Sequence, residues 1–216
     1  MTATSIFYFK RLELGPMQNF TYLIGDSSQK KAAVVDPGWE VPVILEQVRQ
    51  DGYELVGAFA THHHFDHVTG LSELLKSADI PVYVHEKDAP MLNIKRASLK
   101  ATQDGQIIPV GGLPVTVMHT PGHTPGSQCL LAENHLFSGD TLFIGACGRC
   151  DLPGGNAEEL YQTLSGKLRL LDDKIILCPG HNYADVPSVS LGEEKQSNPF
   201  LAAKNLQVFL HLVGQD

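Results

Sequence analysis

Thr61-His62-His63-His64-Phe65-Asp66-His67 places His62, His64, Asp66 and His67 within six positions, directly after the apolar run Leu55–Ala60. Imidazole nitrogens and carboxylate oxygens are the ligands of divalent transition metals. Residues two apart on an extended chain share a face, so His62 and His64 can grip one ion together. Asp66 and His67 fall where the chain turns into its next segment and can face a second ion beside the first. This spacing suits two neighbouring divalent ions better than one closed structural zinc site, which takes four ligands and often uses Cys.

Three more ligand-type residues each follow an apolar run. His123 lies in Thr120-Pro-Gly-His-Thr-Pro-Gly126, Asp140 in Ser138-Gly-Asp-Thr141, and His181 in Pro179-Gly-His-Asn182. A glycine immediately precedes each one, where it permits tight turns and close approach of backbone to an ion. With the first cluster these make five His and two Asp, which divide into two three-ligand sets and one bridging carboxylate. Ligands carried at the ends of several strands converge on one sheet edge, where rigid elements position them.

The elements that must do this positioning alternate along the chain, short β-type runs with amphipathic helical runs. Asn19–Ile24 and Ala32–Val35 read as hairpin-related strands around a polar turn at 25–28, and Asp36-Pro37-Gly38 breaks the second. Pro42 suits the first turn of a helix with the stripe Val41, Ile44, Leu45 and Val48, ending near Gly52. Leu71, Leu74, Leu75 and Ala78 mark one face of another helix, and Pro81–His85 a short strand. Further on, Leu113–Met118, Gln128–Leu131, Leu136–Phe137 and Lys174–Leu177 read as strands. Asn156 with Glu159 forms a helix-start pair, and the helix after it is expected to bury Leu160, Leu164, Leu168 and Leu171. Asn198-Pro199 is expected to open a terminal helix. Two sheet-rich halves flanked by helices predict two packed sheets with helices outside, in a single domain spanning 1–216.

The chain has 216 residues and a formal net charge of −8. An acidic surface without a Lys/Arg run repels phosphate backbones, so nucleic acid is not expected as a partner. No apolar run reaches spanning length and the amino terminus lacks a signal-peptide pattern, so no membrane partner is expected. Four cysteines are too few for a disulfide scaffold in a chain of this length, and a cytoplasmic, reducing location is expected.

The motifs Thr61–His67, Thr120–Gly126, Gly139–Phe143 and Pro179–Tyr183 closely resemble those of the metallo-β-lactamase superfamily, and within it the glyoxalase II-like (hydroxyacylglutathione hydrolase-like) group in a short form. The resemblance runs from about Asn19 to about Phe200. It implies an α/β (α+β) fold, a four-layer αββα sandwich with metals at one edge of the sheets. It places His62, His64 and His123 on one ion, Asp66, His67 and His181 on a second, and Asp140 between them. The ions would be zinc, with iron or manganese as alternatives. Two ions about 3.5–4 Å apart lower the pKa of a shared water from 15.7 towards 7, which suits attack on a thioester carbonyl whose thiolate leaves without full protonation. Asp66 and Asp140 would be the catalytic carboxylates. The resemblance implies a small-molecule partner, S-(2-hydroxyacyl)glutathione or a related thioester, contacted by Arg149 and Tyr183. β-Lactam-hydrolysing members lack the bridging Asp, and RNA-processing members carry extra RNA-gripping elements, so neither activity is implied. The alternative is a persulfide dioxygenase with one iron on His62, His123 and Asp140.

The other histidines read differently. His63 should point away from His62 and His64, His119 should be a packed or supporting residue, and His85, His135 and His211 lack a partner pattern. Thr61, Ser138 and Thr141 are candidates to support the imidazoles. Cys147 and Cys150 read as two reduced thiols.

Overall fold

In the computed structural model of this protein, which describes residues 7–215, the chain builds two six-stranded sheets. The first contains β1 (Phe7–Leu14), β2 (Asn19–Asp26), β3 (Lys31–Val35), β4 (Glu54–Phe59), β5 (Val82–His85) and β6 (Leu99–Thr102), in that spatial order. β1 to β3 run antiparallel, whereas β3 to β6 are parallel because a crossover separates each strand from the next. The crossovers carry α1 (Val41–Gln50), α2 (Phe65–Val68) and α3 (Leu71–Ser77).

The second sheet uses β7 (Ile107–Val110), β8 (Leu113–His119), β9 (Gln128–Ala132), β10 (His135–Gly139), β13 (Ile176–Pro179) and β14 (Val189–Ser190). Its order is β14-β13-β10-β9-β8-β7, parallel only between β10 and β13. A small hairpin of β11 (Leu142–Phe143) and β12 (Ala146–Cys147) lies beyond β10, and α4 (Ala157–Gly166), α5 (Leu191–Ser197) and α6 (Leu206–Leu212) follow.

Strand periodicity explains the layering. Tyr22, Ile24, Val35 and Phe59 of one sheet meet Val115, Val117, Leu130 and Phe137 of the other in a core between them. Their strand neighbours point outward: Leu23, Val34 and Ala58 pack on Val41, Ile44, Leu71 and Leu74. On the far side Cys129, Leu136 and Leu177 pack on Leu160, Leu164, Leu191 and Phe209. Both faces of each sheet are therefore buried, which is why the strands read as apolar runs. The result is the expected αββα sandwich. Among the described residues no helix is long and apolar enough to cross a membrane.

Two expectations shift. Asn156 caps α4 by accepting from Glu159 N at 3.0 Å, but α4 ends at Gly166. Leu168 is buried in a separate 3₁₀ turn and Leu171 lies beyond it. Asn198-Pro199 does not open a helix: α5 starts earlier on a capping box of Ser190 and Glu193, and Asn198 closes it. The terminal helix opens later, on Asn205.

Candidate metal centre

β4, β8, β10 and β13 end at one edge of the sandwich, and the loops leaving them carry all seven expected ligand-type residues to one place. His62 and His64 follow β4, with ring centroids 4.7 Å apart. Asp66 and His67 sit on the single turn of α2. His123 follows β8, Asp140 follows β10 and His181 follows β13. The ligand atoms of His62, His64 and His123 lie within 4.8 Å of one another, as do those of Asp66, His67 and His181. Asp140 reaches both sets: its oxygens lie 3.3 Å from His67 Nε2, 3.5 Å from His181 Nε2 and 3.7 Å from His123 Nε2.

Hydrogen bonds behind the rings decide which nitrogen faces inward. His123 Nδ1 lies 2.7 Å from the Arg149 carbonyl and His181 Nδ1 lies 2.9 Å from the Met17 carbonyl. A carbonyl only accepts, so both Nδ1 atoms carry a proton, and in the neutral ring each Nε2 presents a lone pair. His67 Nδ1 bonds Asp36 Oδ2 at 2.9 Å with the same consequence for its neutral form. His62 Nδ1 bonds Thr61 Oγ1 at 3.1 Å, and that hydroxyl is itself spent on Asp36 Oδ2 at 2.7 Å.

The inward atoms then face one another. His123 Nε2 is 2.9 Å from His64 Nδ1, and His67 Nε2 is 3.2 Å from His181 Nε2. His62 Nε2 and Asp140 Oδ1 are buried without a hydrogen-bond partner. Imidazole nitrogens and carboxylates converging on one space fit cations, and this donor set fits two divalent ions.

Electrostatics agree. Burial, reinforced by neighbouring imidazoles, drives the His62 pKa well below the usual histidine range and His64 down to about 4. Burial also opposes charging of His67 and His181, but carboxylates outweigh it. Asp140 and Asp36 raise His67, and Asp140 and Asp66 push His181 up to about 9. Burial resists the charge on Asp66 and Asp140 too, yet the imidazoles keep both carboxylates well below the ordinary range. The centre is a concentrated negative site that recruits protons when no metal competes.

Three supporting residues escape a reading of the sequence. Asp36, taken there only as a strand breaker, accepts from Thr61 N, Thr61 Oγ1 and His67 Nδ1. Asn19 donates to Asp66 Oδ2 at 2.9 Å and accepts from Trp39 Nε1 at 2.9 Å. Asp88, fully buried, accepts from His63 N, Thr124 Oγ1 and Gly126 N, and thereby ties the loop of His62 and His64 to the loop of His123. Of the supports expected by proximity, Thr61 touches a ligand. Ser138 instead donates to Leu142 O, and Thr141 pairs with Thr120.

His63 points away from the centre, its Nδ1 2.8 Å from Asp88 Oδ2. His119 stacks on His85 at 3.8 Å, bonds the Pro125 carbonyl, and lies outside the ligand sets. His135 packs among Phe7, Phe9 and Phe137, and His211 is on the exposed side of α6. Glycines around the centre are sterically required, and two show why. A Cβ at Gly180 would stand 2.5 Å from Asp140 Oδ1, and Gly122 combines φ of 135° with backbone contact to Leu160.

The centre floors a cavity of about 430 Å³. Arg149 and Tyr183 both line it. Arg149 forks onto Asp151 at 2.9 and 2.8 Å, and Tyr183 stacks on His181 at 4.6 Å. Cys147 lines the same cavity, and both it and Cys150 are free thiols.

A model of the metallo-beta-lactamase superfamily matches residues 14–181. A probable polyketide biosynthesis zinc-dependent hydrolase, BaeB of Bacillus velezensis, is 29% identical over 193 residues, covering 89% of this chain and 86% of the relative. Among solved structures, ETHE1 from Myxococcus xanthus is 33% identical with a TM-score of 0.87, covering 96% of this chain and 90% of that one. TTHA1623 in a di-iron-bound form is 31% identical with a TM-score of 0.76, covering 88% and 99% respectively.

Proposed function

The chain belongs to the metallo-beta-lactamase superfamily as a metal-dependent hydrolase, and from that premise we propose that it cleaves a small acyl thioester of the glyoxalase II type. One observation carries the dinuclear reading: two buried three-ligand sets share Asp140 at the floor of one cavity. His62, His64 and His123 would hold the first ion, Asp66, His67 and His181 the second, and Asp140 would bridge. Zinc suits these donors, and iron or manganese is accepted by the same set. Once bound, the ions supply Lewis acidity and lower the pKa of water from 15.7 towards about 7.

The chain's own residues do the rest. Asn19 and His181 fix the Asp66 carboxylate, which is held ionised and buried. A carboxylate so acidic is a weak proton acceptor, so Asp66 and Asp140 serve by orienting the attacking water. The carbonyls of Arg149 and Met17 lock the outer nitrogens of His123 and His181, so the inner ones need no reorganisation. At the rim, Arg149 and Tyr183 would both contact the substrate, Arg149 on its thiol arm. S-(2-hydroxyacyl)glutathione is the first thioester to test.

The test is hydrolysis of S-D-lactoylglutathione by zinc-loaded protein, followed as loss of thioester absorbance, with His64→Ala as the control. Turnover that disappears in the variant supports the reading, and absence of turnover in a sample holding two ions per chain rejects this substrate. The likeness to the ETHE1 structure favours a second reading, a persulfide dioxygenase with one iron on His62, His123 and Asp140. Oxygen uptake with glutathione persulfide by iron-loaded protein would select it.

A further inference from the structure

The walls above the metal centre are apolar, and some of that apolar surface is exposed. Phe65 lies on α2 between His64 and Asp66, yet its side chain faces the cavity mouth and is 60% exposed. Trp39 meets it edge-on at 6.2 Å and is itself pinned by its bond to Asn19. Across the cavity Tyr183, also largely exposed, is held by the stack on His181 and by Phe143 at 5.5 Å. Met17 and Leu152 complete the collar. Aromatic side chains left in water at this site cover no core, and an exposed apolar surface beside a concave site marks where a ligand rests. Arg149, the cation among the lining residues, is already forked onto Asp151.

We infer that the collar of Met17, Phe65, Phe143, Leu152 and Tyr183 seats an apolar acyl arm, so that the substrates are thioesters of medium-chain or aryl acids. The inference rests on the thioesterase reading and narrows it. The polar lactoyl group has nothing to bury against this collar, whereas each methylene removed from water strengthens binding about fourfold by the transfer free energy of a CH₂. A substrate arm held there stands beside both ligand sets, because Phe65 follows His64 of the first set and shares its turn of helix with Asp66 and His67 of the second.

The experiment keeps the thiol constant. Zinc-loaded protein is given acetyl, butyryl, hexanoyl and phenylacetyl thioesters of N-acetylcysteamine, and kcat/KM is measured for each. Hexanoyl over acetyl is expected at tenfold or more, with that ratio falling at least threefold in Phe65→Ser and in Met17→Ser. Both residues are surface-exposed, so the variants retain the core. A ratio at or below one, or a ratio untouched by both substitutions, overturns the inference. Binding is read separately through Trp39, the chain's single tryptophan, which packs against Phe65. The fluorescence titration uses the non-hydrolysable S-hexyl and S-methyl thioethers of N-acetylcysteamine. Tenfold tighter hexyl binding without hydrolysis of any thioester would retain the collar and reject the thioesterase reading. Equal affinities would reject the collar whatever is hydrolysed.

Discussion

Asp88→Asn isolates a support that touches no ligand. The Asp88 carboxylate accepts from His63 N at 2.9 Å and Thr124 Oγ1 at 2.7 Å through Oδ2, which also lies 2.8 Å from His63 Nδ1, and from Gly126 N at 2.7 Å through Oδ1. An amide has the same shape but one acceptor oxygen. If that oxygen replaces Oδ2, the NH₂ group faces the Gly126 N–H, donor against donor; the opposite flip sets it against two donors. At least one buried donor is therefore unpaired, at about 1–3 kcal/mol, and the remaining bonds lose the strengthening that a charged acceptor gives. A total near 3 kcal/mol corresponds, for a chain of this size, to a melting temperature lower by roughly 6–12 °C. The damage should be local. His63 is flanked by His62 and His64, and Thr124 follows His123, so the first ion's ligands lose their common tether. Outer supports of this kind are worth about 10–100-fold in metal affinity. Zinc titration against a chromophoric chelator should show one weakened site and one close to native, since Asp66, His67 and His181 hold to Asp36, Asn19 and Met17 instead. Native melting temperature with two native affinities would refute the tether, and equal weakening of both sites would refute its locality.

Three further outcomes are expected. Chelation should lower the melting temperature, because free zinc a hundredfold above each dissociation constant adds about 2.7 kcal/mol per ion; a melting point independent of zinc would contradict the centre. Burial pushes the thiols of Cys129 to about 11 and of Cys147 and Cys178 to about 12. The thiolate is the reactive form, so at pH 8 roughly one Cys147 in 10⁴ is ionised, and alkylation should rise about tenfold per pH unit towards 11. Fast labelling of native Cys147 at pH 8 would overturn this, as would a Cys147→Ser/Cys150→Ser variant that loses a redox dependence of activity present in the native chain. Gly180→Ala forces a methyl group to 2.5 Å from Asp140 Oδ1. Metal content measured after purification should fall below two ions per chain, and a full complement would show that the loop yields freely.

The seven ligand-type residues were legible because each follows an apolar run, and runs of that kind end together at one edge of a sheet. Their supports were not legible, because pairing of distant strands creates them. Asp36 reaches Thr61 and His67 only because β3 lies parallel beside β4 with Val35 opposite Phe59. Asp88 stands in the polar stretch Glu86-Lys87-Asp88, which reads as solvated loop until β5 brings it under two ligand loops. Edge strands were missed for a related reason. β1 carries Lys10, Arg11 and Glu13 and is mostly half-buried, so its pattern is weak.

The carboxyl-terminal misreading has a chemical cause. Asparagine can close a helix as readily as open one, and Asn198 is spent on tertiary contacts. Its amide donates to Phe143 O at 3.1 Å and to Ala146 O at 3.0 Å, clamping α5 to the β11–β12 hairpin that walls the cavity. Phe65 shows the same limit from the other side. In the sequence it is a spacer between His64 and Asp66, with the apolar character of a core residue. Only the single turn of α2 turns it out to the cavity mouth while its two neighbours turn inward. Spacing along the chain therefore marks the residues whose ligand-type atoms converge. On the reading proposed above, the apolar side chains left in water at the cavity mouth would select the substrate, and those carry no signature until the fold is known.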